Sequence, residues 1–139
     1  MFLNKEFISS LYDQKRNIYK SILPKNIKFL RPGVSDFLDR LKSKNIKVAI
    51  GTSSSFLSVN ALSKSIWGKP IYLIFDQVVT GDDVRKKKPS SEVFDLCLKK
   101  LKIDRSNCIV IEDSEIGLKA AKLAKIKTLI TPSFFTIDQ

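Results

Sequence analysis

Cys108-Ile109-Val110-Ile111-Glu112-Asp113-Ser114-Glu115-Ile116-Gly117-Leu118 decides the fold of this 139-residue chain. An apolar run ends in two carboxylates, and helical spacing begins directly behind them. A short apolar run bounded this way reads as a buried strand of a parallel sheet. In α/β proteins the carboxyl ends of such strands are where ligands bind. Glu112 and Asp113 are therefore site candidates from position alone.

Working outward, the same alternation recurs. Leu3, Phe7, Leu11, Ile18 and Ile22 recur at helical intervals, which predicts a helix over 2–22 that Pro24 stops. Residues 24–31 read as a linker. Val34, Phe37, Leu38 and Leu41 predict a helix over 33–44, with Asn45 as its stop. Ile46-Lys47-Val48-Ala49-Ile50 reads as a strand. It runs into Gly51-Thr52-Ser53-Ser54-Ser55, a hydroxyl-rich turn suited to start the helix that carries Phe56 to Ile66. Leu73 to Val79 reads as a short strand. Pro89 reads as the start of another helix, with Val93, Phe94, Leu96, Cys97 and Leu101 on its buried face. A helix over 114–124 and a strand over 128–130 follow, and Pro132 begins a tail. Strands alternating with helices imply a doubly wound α/β domain with parallel crossovers.

Composition agrees with a globular chain: 43% of residues are hydrophobic, and Gly and Pro number five each. No apolar run approaches the roughly 18 residues that span a membrane, and the N-terminus resembles neither a signal nor a transit peptide. Cys97 and Cys108 have no CxxC spacing and the chain has no His, which disfavours zinc and fits free buried thiols in a reducing compartment. The net charge of +11 admits two readings. One is nucleic-acid binding; the other is a lysine-rich solvated surface that also attracts phosphorylated ligands. The lysines are dispersed, and the one dense run, Arg85-Lys86-Lys87-Lys88, lacks interleaved aromatics. Nucleic acid is therefore disfavoured.

Three junctions carry chemistry. Thr52 and Ser53 stand where a helix begins, which suits an anion or a plain N-cap. Lys88, before Pro89, can neutralise a phosphoryl group or serve as an ordinary surface lysine. Glu112 and Asp113 are hard oxygen donors suited to Mg²⁺, or helix-capping acids. Together they suggest metal-assisted phosphoryl transfer.

These stretches resemble the haloacid dehalogenase superfamily, in its CbbY-like and β-phosphoglucomutase-like branch. The likeness is carried by Arg31-Pro32-Gly33-Val34, Val48 to Ser54, Val79-Thr80-Gly81-Asp82-Asp83-Val84, Lys87-Lys88-Pro89, Ile111-Glu112-Asp113-Ser114 with Gly117-Leu118 and Ala120-Ala121, and Thr131-Pro132-Ser133-Phe134-Phe135-Thr136. The resemblance implies phosphate binding by Thr52, Ser53 and Lys88, and Mg²⁺ binding by Asp113 and Glu112, with Asp113 favoured as the direct ligand. It also implies outer support from Ser114 and a substrate contact from Lys15 in a helical cap. It divides the chain into the end of that cap (1–23), a linker (24–31) and a truncated core (32–139).

The family's nucleophile motif, Asp-x-Asp-Gly-Thr, occurs nowhere in the chain. In the family that motif follows a central strand lying between those corresponding to 46–50 and 108–112. The expectation is thus an incomplete sheet in which these two strands flank an unfilled position or pair abnormally. Three origins fit: a piece of a longer protein, one product of a split gene with a second chain supplying the strand, or a degenerate remnant. The resemblance implies a Mg²⁺-dependent phosphatase of a small sugar phosphate, such as xylulose 1,5-bisphosphate, acting through an aspartyl-phosphate. A phosphosugar mutase and a non-catalytic phosphate- or partner-binding remnant are the alternatives. The isolated chain is expected to be inactive. Its expected location is the cytoplasm, or the plastid stroma if plastid-encoded.

Overall fold

A computed structural model describes residues 4–23 and 30–132. The expectations for residues 1–3, for the linker at 24–29 and for the Ser133–Thr136 likeness lie outside the described residues. The order is α1 (Lys5–Ile22), α2 (Val34–Ser43), β1 (Ala49–Gly51), α3 (Phe56–Trp67), β2 (Gln77–Val79), α4 (Glu92–Leu101), β3 (Ile109–Glu112), α5 (Glu115–Leu123) and β4 (Lys127–Ile130). All pairing is parallel: β1 with β2 in the register Ile50 to Val78, and β3 with β4 in the register Val110 to Thr128. The fold is the expected α/β arrangement, and its sheet is small and incomplete. Among the described residues it falls into two separate two-stranded pairs, and β1 and β3 share no ladder.

One face of both pairs is covered by α4 and α5. Val93, Phe94, Cys97 and Leu98 of α4 pack with Val79 of β2, Val110 of β3, Ala120 and Ala121 of α5, and Ala124 and Ile126 behind it. Burying each large apolar side chain here contributes roughly 1.5–3 kcal/mol. The alanines let α5 sit close to β3 and β4.

The other face of β3 and β4 is open. Val110 is 7% exposed, whereas its neighbours Ile109 and Ile111 are 62% and 46% exposed. The expectation of a fully buried strand is thus corrected to a half-buried one, because β3 has a partner on one edge and a cover on one face. Helix α1 packs against α3, yet Phe7, Leu11, Ile18 and Ile22 of its apolar stripe stay exposed.

Two further expectations are corrected. The strand expected over Leu73–Val79 is shorter: Leu73 closes a 3₁₀ turn over residues 71–73, and β2 begins only at Gln77. Ile71 is pinned there because its N–H donates to Asn60 Oδ1 at 3.1 Å. Pro89 does not open α4, which starts at Glu92. The Glu92 carboxylate accepts the amides of Arg85 and Lys86 at 2.8 and 2.9 Å, which closes the intervening residues into a loop. Those amides hold its carboxyl below the usual range. Cys97 is buried and Cys108 half-buried, and both are free thiols. Burial pushes Cys97 up to about 11, so it is a protonated packing residue at neutral pH. No helix among the described residues is long and apolar enough to cross a membrane.

Candidate phosphate and metal site

The carboxyl ends of the strands converge on an open cavity of about 1370 Å³. Thr52 and Ser53 line it behind β1, Glu112, Asp113 and Ser114 behind β3, and Lys87 and Lys88 before α4. Lys15 lines it from α1. Every site residue read from the sequence therefore meets one space, although they span about a hundred positions.

Thr52 extends the β1–β2 ladder, its N–H donating to Val79 O at 2.9 Å. Its Oγ1 accepts the Ser54 amide at 3.1 Å. An oxygen that accepts in this way keeps its own O–H free to donate. The α3 N-terminus is already capped: Ser55 Oγ accepts the Ser58 amide and Asp82 Oδ2 the Phe56 amide. The capping role thus falls to Ser55 and Asp82, and Thr52 lines the cavity. Gly81 donates to Ser54 O at 2.8 Å and holds this turn in place. A Cβ on Gly81 would overlap the Ser53 carbonyl, lying 2.9 Å from its carbon. That obstacle is backbone and cannot rotate away. Gly81→Ala is expected to destabilise the protein by about 1–3 kcal/mol, read as a lowered midpoint in urea. An unchanged midpoint would mean that the turn yields freely.

Lys88 Nζ pairs with Glu112 Oε1, and these side chains are 11% and 10% exposed. The ammonium also stands 4.6 Å from the Phe94 ring centroid, a cation–π distance. Glu112 Oε2 accepts from the Asp113 amide at 3.3 Å and the Ser114 hydroxyl at 3.2 Å. Ser114 Oγ meanwhile accepts the Gly117 amide at 3.1 Å and so caps α5. Gly117 leaves the room the Glu112 carboxylate fills, since a Cβ there would overlap it. The backbone of Glu112 is held as well: its carbonyl accepts Thr131 N–H at 2.8 Å. Arg31 ties that end of β4 down through Thr131 Oγ1 at 3.2 Å and the Pro132 carbonyl. Asp113 is exposed, and its carboxylate has no hydrogen bond or ion pair among the described residues.

Arg31, Gly117 and Asp82 had no assigned role in the sequence reading. The signal for Gly117 was a glycine inside a helix three residues after a serine N-cap. Nothing local to Arg31 announces its contact one hundred positions away.

The family profile described as haloacid dehalogenase-like hydrolase matches residues 2–131. A CBBY-like protein of Arabidopsis thaliana is 36% identical over 135 residues, covering 97% of this chain and 42% of that protein. The crystal structure of CbbY from Rhodobacter sphaeroides in complex with phosphate superposes with a TM-score of 0.90 at 32% identity, over 95% of this chain and 59% of that one. A mutant of that protein in complex with xylulose-(1,5)bisphosphate gives 0.89 at 32% identity over the same shares. A β-phosphoglucomutase from Clostridium difficile gives 0.83 at 25% identity, over 97% of this chain and 59% of that one. The chain spans about half the length of the curated relatives it matches.

Proposed function

Because the chain belongs to the haloacid dehalogenase-like hydrolase family, in its CbbY-like branch, we propose that it supplies the phosphate-gripping and metal-holding side of a phosphoryl-transfer site for a small sugar phosphate. The observation that carries this reading is the convergence of Thr52, Lys88 and Asp113 on one cavity from three separate junctions. Lys88, braced by Glu112, places a fixed positive charge where a phosphoryl group enters. The Thr52 hydroxyl donates to a phosphoryl oxygen. Ser53 lies beside it on the same turn. Lys15, on the α1 side, offers a cation to a second anionic group of the substrate, and α1 is the end of a cap over the site.

The donor set fits a magnesium ion held mainly by water and substrate oxygen. Asp113 offers an uncommitted carboxylate, and no group of three or more His, Cys, Asp or Glu among the described residues forms a cage. Asp113 would hold the ion; Glu112, beside it, is engaged with Lys88, and Ser114 supports Glu112 from behind. Bound there, the ion would neutralise phosphoryl oxygens.

Among the described residues that line the cavity, no carboxylate is left over to act as nucleophile once the metal is served. Of the acids lining the cavity, Asp82 caps α3, Glu112 holds Lys88, and Asp113 is left for the metal. We therefore expect residues 1–139 to bind phosphate without turning over a sugar phosphate. The xylulose-(1,5)bisphosphate complex of the similar CbbY supports a pentulose bisphosphate as substrate. The β-phosphoglucomutase likeness supports mutase chemistry as the second reading. The cytoplasm, or the stroma for a plastid-encoded protein, suits such a substrate.

Calorimetric titration of residues 1–139 with inorganic phosphate tests the proposal. Binding is expected to strengthen with Mg²⁺, and Asp113→Asn is expected to remove that strengthening while leaving metal-free binding intact. Mg²⁺-dependent release of phosphate from xylulose 1,5-bisphosphate by wild-type residues 1–139, lost in Asp113→Asn, would refute the expectation that these residues do not turn over.

A further inference from the structure

We propose that Arg31 is a positioning residue: through Thr131 it fixes the end of β3 from which Glu112 and Asp113 project. The consequence for Mg²⁺ and phosphate rests on the site reading above; the brace on β3 does not. The chain of contacts is continuous. Arg31 Nη1 donates to Thr131 Oγ1 at 3.2 Å, and Nη2 donates to the Pro132 carbonyl. The Thr131 hydroxyl in turn donates to the Glu112 carbonyl at 3.4 Å. The Thr131 N–H donates to the same carbonyl at 2.8 Å. The next residue is Asp113, whose amide donates back to Glu112 Oε2 at 3.3 Å.

Arg31 is exposed, and an exposed polar contact usually contributes little. Two features set this one apart. The guanidinium is a rigid fork, and its two nitrogens hold two successive residues, Thr131 and Pro132. The Arg31 backbone is itself anchored: its carbonyl accepts Val34 N–H at 3.1 Å where α2 begins, and α2 sets Leu38 into the interior. The brace therefore runs from a fixed helix start to a strand end.

Asp113 depends on that brace more than its neighbour does. Glu112 is also held through its side chain by Lys88. The Asp113 carboxylate has no hydrogen bond or ion pair among the described residues, so backbone alone sets its place. Arg31, Thr131 and Pro132 line the same cavity as Asp113. A group bonded directly to a metal ligand is typically worth about 10- to 100-fold in metal affinity. Arg31 stands one group further out, so an effect of about threefold to tenfold is expected.

Amide exchange of residues 1–139, read without ligand, tests the brace. In Arg31→Gln the Thr131 amide is expected to exchange roughly fivefold faster or more, with the Thr52 amide of the other strand pair unchanged. Calorimetry with inorganic phosphate tests the consequence. The strengthening of phosphate binding by Mg²⁺ is expected to fall about threefold to tenfold in Arg31→Gln, while metal-free affinity changes by less than about twofold. Arg31→Lys is expected to behave like Arg31→Gln, because it keeps the charge and loses the fork. Thr131→Val is expected to reproduce the loss, and Arg31→Gln/Thr131→Val to be no weaker than the stronger single variant, since members of one relay are not additive. Unchanged Thr131 exchange, or additive losses in the double variant, would overturn the proposal. So would exchange that quickens equally in both strand pairs, which would mean a general loss of stability. An equal fall with and without Mg²⁺ that Arg31→Lys restores would overturn it too, making Arg31 a direct anion contact. If wild-type binding ignores Mg²⁺, the site reading fails, and the exchange comparison alone upholds or overturns the brace.

Discussion

Lys88→Met is expected to weaken phosphate binding about 10- to 100-fold, because a charge-assisted bond to a phosphoryl group contributes roughly 1.5–3 kcal/mol. The same change should lower stability. Lys88 and Glu112 are both nearly nine-tenths buried, so methionine leaves the Glu112 carboxylate desolvated and without its cation. Removing one member of such a pair typically costs about 3–5 kcal/mol. The Ser114 hydroxyl and Asp113 amide still hold Glu112 Oε2, which places the expected loss near the lower bound, about 3 kcal/mol. The double variant Lys88→Met/Glu112→Leu separates the two effects. It should regain most of the stability, read by urea denaturation, and none of the phosphate affinity, read by calorimetry. Recovery of phosphate binding in the double variant would show that Lys88 matters only for folding.

Gly117→Ala is expected to act on the same pair from the other side. The added methyl would overlap the Glu112 carboxylate. That carboxylate cannot simply swing away, because Lys88, Ser114 and the Asp113 amide hold it. Alanine is otherwise the better residue inside a helix by about 1 kcal/mol, so propensity alone predicts a gain. Overpacking of a held group costs about 1–3 kcal/mol, and the net expectation is a loss of up to about 2 kcal/mol. Phosphate affinity should fall with it, since Lys88 moves with Glu112, while the exposed Asp113 carboxylate, outside that pair, should stay unperturbed. Chemical shifts of the Lys88 side chain, followed by NMR, give a readout that a purely structural loss would not move. A stabilised Gly117→Ala variant with unaltered Lys88 shifts would show that the cavity relaxes around the methyl.

The element pattern was legible because it rests on local periodicity. The 3.6-residue spacing of Phe7, Leu11, Ile18 and Ile22 and the branched run Ile109–Ile111 need no distant partner to be read. The strand expected over Leu73–Val79 was overstated, because Asn60 anchors Ile71 from a neighbouring helix and no local signal shows that bond. The helix expected at Pro89 began late for the same kind of reason, Glu92 reaching back to two loop amides. The residues proposed for the site were legible as residues at strand and helix junctions, as at Thr52, Lys88 and Asp113, and the structure brings them to one cavity.

By itself, then, the sequence determined the α/β class, the family likeness and which polar residues stand at strand ends, since each depends on spacing along one segment. Only the tertiary structure decided how those residues divide the work. Glu112 and Asp113 are neighbours with equal charge, and spacing along the chain does not tell them apart, although the family likeness favours Asp113 as the metal ligand. Packing sends the first inward to Lys88, over a glycine that leaves it room, and leaves the second in solvent with its oxygens uncommitted. The divided sheet was expected from the family likeness, whereas which edge of each strand is paired, and in what register, is a tertiary result, because it depends on strands meeting in space.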